Sequence, residues 1–300
     1  MMADSSHSLG FRYFLRSRVG MTALTMPLLV LAGTYIHTLH TDAEITRFVA
    51  RYGDAMLQDN TTVSIGLARE LESKGVEALP ILEAMFRNSH GDAEIRRHMR
   101  VRATTMLHKV PSPRATDILI DRLQDEDDLV RCEAMTVLEY RCDARALDAV
   151  FAAFRRNSDT TEAITAAVAV GTLYRVSERK PRHILQTFLD IMEGEGLLLR
   201  KQAALEFFEQ GCWAGQMPED ALRALPDIVA MIEKHPEHAD QAYGAATSLT
   251  GQGFGGLPHT FKQPMTDEDF IALHNLTEDD DLRHRVVREI KEWMRQRGQN

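Results

Sequence analysis

Gly251-Gln252-Gly253-Phe254-Gly255-Gly256 has the spacing of a glycine-rich loop that cradles phosphates. Such a loop needs a strand before it, a helix after it and a distant acid for the ribose. Helix-forming sequence precedes this string and Pro258 follows it, so the glycines read as a connection and not as a nucleotide site. His235 and His238 stand three apart in His-Pro-Glu-His. A metal there would want a third and fourth ligand at fixed geometry, and His259 and His274 are distant in sequence. The pair reads as a turn. The cysteines, Cys132, Cys142 and Cys212, are odd in number and form no Cys-x-x-Cys pair. Cys132 and Cys142 fall too far apart along one helix to bridge, so all three read as free and mostly buried thiols. These motifs yield no catalytic residue, no cofactor-binding residue and no metal ligand.

Residues that could contact a partner are of two kinds. Arg96 and Arg97 sit in a basic cluster with Arg100 and Arg102. Phe254 and Phe261 lie in a stretch from Gly251 to Pro264, longer than most helix connections, and loops beyond ~12 residues tend to be functional. Packing of both rings back on the core is the competing reading. The last basic cluster, Arg283 to Arg297, is interleaved with Glu289 and Glu292 and has an apolar face of Val286, Ile290, Trp293 and Met294. It reads as a closing helix with a solvated outer side.

What positions these residues is a recurring register: an apolar residue, Arg, Ala three positions on, and a large apolar residue four beyond that. It appears as Met99-Arg100, Ala103, Leu107, as Val130-Arg131, Ala134, Leu138 and as Leu199-Arg200, Ala203, Phe207. Weaker copies begin at Val63, Thr165, Gln241 and Leu282. A second amphipathic stretch precedes each strong copy, as in Ala115 to Leu123 and Ile184 to Met192. The spacing suits two helices and two short turns per unit. Arg100, Arg131, Arg200 and Arg283 hold equivalent positions, and pairing with acids of a neighbouring turn is their expected structural role.

The acidic turn Asp125-Glu126-Asp127-Asp128 followed by apolar-Arg-x-x-Ala resembles the HEAT repeat family, most closely over 114–156 and less so over 61–297. The resemblance implies an α-solenoid that scaffolds other proteins. HEAT-like deoxyhypusine hydroxylases place His-Glu pairs at the start of second helices. The matching steps here read Arg131-Cys132-Glu133-Ala134 and Arg200-Lys201-Gln202-Ala203, and no His-Glu pair occurs in the chain. A di-iron site of that type is excluded. The HEAT-like bilin lyases, whose motifs are diffuse, keep an alternative open: a lyase or a protein that binds a cofactor or small molecule.

Charge narrows the partners. The 300 residues carry a formal −9. Residues 1–41 hold Arg12, Arg16 and Arg18 against Asp4, which leaves the rest of the chain at −11. So acidic a domain is a poor match for phosphate backbones, and no nucleic acid partner is expected. From Val19 to Thr41 there is no charged residue, and the apolar run to Ile36 is long enough to cross a bilayer. Thr41-Asp42-Ala43-Glu44 then reads as a capping box that starts a new helix.

The expected plan is therefore all-α: a basic cytoplasmic tail over 1–18, a transmembrane signal-anchor helix over 19–40 and a HEAT-like domain of about six hairpins over 41–300. The arginines flanking the segment predict a single-pass membrane protein with a cytoplasmic N-terminus and a periplasmic or exoplasmic repeat domain. Cleavage after Val30-Leu31-Ala32, giving a secreted protein, and a buried first helix are the other readings of the segment. The expected function is non-catalytic, with no cofactor, and with a protein or peptide partner.

Overall fold

A computed structural model describes residues 41–56, 58, 61–87, 92–156, 161–211, 218–257 and 266–298. Every regular element among them is helical. The helices are α1 (41–56), α2 (Thr61–Lys74), α3 (Leu79–Arg87), α4 (Ala93–Met106), α5 (Pro113–Arg122), α6 (Asp128–Arg141) and α7 (Leu147–Arg156). They continue as α8 (Thr161–Val176), α9 (Arg182–Glu193), α10 (Leu198–Gly211), α11 (Leu225–Lys234), α12 (Ala239–Thr250), α13 (Asp267–Glu278) and α14 (Asp280–Gln296). Short 3-10 turns join several of them.

Side chains from the turns start the helices. Asp92 accepts from the Ile95 N–H at 2.9 Å, Asp127 from Leu129 at 3.0 Å and Asp279 from Leu282 at 2.9 Å. Ser112 accepts from Arg114 at 3.3 Å, ahead of Pro113 in the first turn of α5. Each satisfies a backbone donor that the first turn would leave open. The apolar stripes then fuse into one continuous core from Phe48 to Met294.

Consecutive helices pair as hairpins, and the pairs stack in two layers, the arrangement of an α-solenoid. The second helices α4, α6, α8, α10 and α12 pack on one another in sequence, far more extensively than the first helices do. The row of second helices is therefore the inner side of the curve. Small residues make this possible: Ala163, Ala166, Ala167 and Ala169 on α8 and Ala203 and Ala204 on α10 are fully buried in these two closely packed helices.

The last pair departs from the expected order. α13 packs on α12, while α14 packs on α11, so the second helix of this pair joins the outer row. Lys291 of α14 pairs with Glu233 of α11 at 2.6 Å, and Trp293 and Met294 are buried. The register starting at Leu282 thus marks an end cap and not a seventh inner helix.

The expected membrane placement is corrected. Among the described residues no helix is long and apolar enough to cross a membrane. The longest of those from α2 onward, α14, has 17 residues and is heavily charged, against a need for ~20 apolar ones. Residues 1–40, which carry the expected tail and anchor, lie outside the described residues. The single-pass arrangement is not carried further.

Candidate functional site

The arginines of the repeated register face the turns that join the two helices of a hairpin. Arg100 donates to Glu126 at 2.8 Å, with Asp125 3.5 Å away. Arg131 forks onto both oxygens of Glu162 at 2.9 and 2.8 Å, and its remaining nitrogen caps the carbonyls of Asp125 and Glu126. This contact holds the Arg131 guanidinium above its ordinary range. Arg283 binds within its own hairpin, to the Leu276 and Thr277 carbonyls and to Asp280. Arg200 is half-buried at the start of α10.

The candidate partner residues fare differently. Arg97 pairs with Asp127 at 2.9 Å, so its charge is engaged by the neighbouring hairpin; Arg96 is half-buried beside it. Phe254 is buried, and its backbone N–H donates to the Tyr243 hydroxyl at 3.2 Å. It packs on the core and is not offered to a partner. Phe261 lies outside the described residues, as do His259 and Cys212.

The glycine string is a helix stop. Gly251 ends α12 in the left-handed region, its N–H donating to the Thr247 carbonyl at 2.8 Å. Gly255, at φ +67°, lies where an added Cβ would meet Val286 of α14 at 2.4 Å. Gly255 N–H donates to Glu289 at 2.5 Å. His238 contacts Gln202 at 2.8 Å and His235 contacts Glu237 at 3.3 Å, so the two rings have separate partners. The Cys132 thiol is half-buried, and burial pushes its pKa up. Cys142 is exposed and not buried as expected, because it ends α6 at φ +50°.

The groups left over lie on the inner row. Thr105 of α4 donates to Glu133 of α6 at 2.6 Å, and Thr172 of α8 lies 3.4 Å from Glu139 of α6. Gln241 of α12 donates to Glu206 of α10 at 3.3 Å. At the remaining seam Arg175 of α8 donates to the Gln210 carbonyl of α10 at 3.1 Å, so a polar strip crosses five helices. Glu206 and Glu209 lie on one face of α10, and Asp240 at the start of α12 adds a third carboxylate to their field.

Burial is the first cause of their shifted pKa values. It raises Glu139 against the opposing pull of Thr172 and Arg175, and it raises Glu206, helped by Asp240 and Glu139. Glu209 is pushed up to about 8 by burial, then by Glu206 and Asp240. Its carboxylate sits over Gly244 of α12, where an added Cβ would come within 2.8 Å of it.

At the other end of the same row is a cleft of about 270 Å³ among α1, α2, α4 and α6. Tyr52, Ala68, Met106 and Val137 form an apolar floor, and Arg102 and Tyr140 stand at the rim. Tyr140 is 67% exposed, its ring edge-on to His108 at 5.7 Å. Larger hollows of about 590 and 800 Å³ border Asp42 and Thr41, the first described residues, away from this strip. α6 links the two halves of the site, carrying Tyr140 to the cleft and Glu139 to the acids.

Neither the cleft nor the acid strip emerges from motif reading. The register itself carries a partial signal: nine residues after Arg131 and Arg200 come Tyr140 and Glu209, both on the inner row.

No family model matches this chain. No curated protein matches it. Among solved structures it is similar to human deoxyhypusine hydroxylase in complex with glycerol, at 15% identity over 86% of this chain and 96% of that one. The TM-score of 0.34 is too low for that likeness to carry an argument.

Proposed function

We propose that this chain is a non-catalytic, HEAT-like scaffold that binds a protein or peptide partner along its inner row of helices. One observation carries the reading. Cations between hairpins are engaged by neighbouring hairpins, as in Arg97–Asp127, Arg100–Glu126 and Arg131–Glu162. The inner row instead gathers Glu206, Glu209 and Asp240 toward one end and has an exposed tyrosine and an open cleft at the other. Gathering like charges at a desolvated surface costs stability, and such features concentrate at functional sites. The turn and register that resemble HEAT repeats support the same reading. Of the residues weighed for covalent or metal chemistry, His238 is engaged by Gln202, His235 by Glu237, and Cys132 is half-buried.

The test is site-specific photo-crosslinking in cells that make the protein. Benzoylphenylalanine in place of Tyr140 on the inner row should give a discrete adduct. The same group in place of Asp148, exposed on the outer helix α7, should not. Equal labelling from both positions, or none from the inner one, overturns the scaffold reading.

A further inference from the structure

The inner row has two unlike ends, and together they specify what would lie on it. The cleft is apolar at its floor, and its size suits one bulky side chain and not a drug-sized ligand. The half-buried Glu139 and Glu206 and the exposed Asp240 come from α6, α10 and α12, and Gln241, next to Asp240, donates to Glu206 at 3.3 Å, so these acids are spread along the row. A compact ion would use one point of it; an extended chain with several cations would use its length.

A second copy of this chain is a poor occupant, because its net charge is −9 and its inner row would present the same carboxylates. A nucleic acid strand is repelled for the same reason. The complementary occupant is a protein segment with an apolar anchor and a basic stretch.

We propose, building on the scaffold reading above, that the inner row binds one extended peptide segment. A bulky aromatic side chain fills the Tyr52–Met106–Val137–Tyr140 cleft, and arginines or lysines several residues away lie over Glu206 and Asp240. The spacing follows from the row. From α6 to the α10–α12 seam is two to three helix steps of about 8–10 Å each. Roughly seven to nine extended residues cover that span. The aromatic anchor gives affinity through desolvation, and the basic stretch gives orientation and rejects acidic competitors.

The test uses the full chain and fluorescein-labelled 12-residue peptides read by fluorescence anisotropy. One carries Trp near its start, a neutral spacer and three Arg at its end, and another has the reversed sequence. Controls replace Trp by Ala or the arginines by Glu. One of the two orientations should bind, with affinity falling as salt rises. The Trp-to-Ala control should bind about tenfold more weakly, as burial of one aromatic side chain implies, and the Glu control should show no binding.

Two variants locate the site. Tyr140→Ala should weaken the Trp peptide and leave the Trp-less control unchanged. Glu206→Gln with Asp240→Asn should remove the preference for arginine. Tyr140 and Asp240 are exposed, and circular dichroism checks that each variant keeps its fold. Binding by neither orientation, equal binding of the Trp-less peptide, or indifference to both variants overturns the inference. The crosslinking contrast between positions 140 and 148 bears on the scaffold reading alone. An inner-row adduct without peptide discrimination would leave the scaffold and remove this partner chemistry.

Discussion

Glu209 shows how a single residue couples folding to the site. Its carboxylate has given up water to sit over Gly244, and Glu206 and Asp240 add repulsion to the desolvation. The group therefore takes up a proton on folding, between its ordinary value of 4.5 and about 8. Across that window the folded state holds more protons than the unfolded one, so stability is fullest at the acid end and falls as pH rises. Above about 8 the loss is complete. Glu209→Gln keeps the shape and removes the titration. We expect its melting temperature to exceed that of the parent at pH 8–9 and to match it near pH 5. Glu206, shifted in the same direction, leaves a residual slope in the variant. Parallel melting curves for the two proteins from pH 5 to 9 would show that Glu209 is solvated in the folded state. Arg141 is the cationic counterpart: burial lowers its pKa, yet its donors are used. It donates to the Leu107, Val110 and Ser112 carbonyls, each at 2.9 Å, and ties α6 to the connection between α4 and α5.

Between elements, the closest approach is α8 on α10. At Gly171 an added Cβ would lie 2.9 Å from the Phe207 carbonyl oxygen and 3.0 Å from the Gly211 nitrogen, both backbone atoms that cannot swing aside. Phe207 anchors that seam, stacked on Phe188 at 3.9 Å and edge-on to Tyr174 at 5.5 Å. Gly171→Ala should therefore destabilise by about 1–3 kcal/mol, the usual cost of overpacking. Gly66 on α2 has nothing within 4 Å of the added Cβ. There the same substitution should stabilise by about 0.5–1 kcal/mol, since alanine loses less backbone entropy in a helix. Urea unfolding of the two variants reads both signs, and equal effects would mean that the seam is looser than drawn. The contrast also marks what a sequence makes legible. The registers at Met99, Val130, Thr165, Leu199 and Gln241 fall inside the inner helices, because amphipathic period and turn chemistry are local. The reversed order of α13 and α14 is not local: a stripe of Val286, Ile290 and Trp293 announces a buried face without naming the helix that covers it. Glu209 escaped notice for the same reason. An acid on an amphipathic helix reads as solvated, and only Gly244, from the next hairpin, buries it.

At the scale of the whole molecule, the two layers make each hairpin depend on its neighbours and little on anything further away. The ends are then the places where the array must be closed. At the C-terminal end α14 does this by crossing to the outer row, where Val286 is fully buried and Gly255 fits against it without a side chain. The cap also bears on the acid strip, since α11 and α12 are the helices it and α13 cover. Val286→Asp places an unpaired charge in that contact and should release the cap without touching the inner row directly. In hydrogen exchange read by mass spectrometry, protection should fall in α11 to α14 and remain at parent levels in α4 to α6. Nearest-neighbour coupling requires that gradient, because the aromatic cluster of Phe154, Phe188 and Phe207 lies between the two regions. Uniform loss of protection from end to end would instead make the array one cooperative unit. In that event, a partner seated at the Tyr140 cleft would stabilise the far cap as strongly as the hairpins it touches.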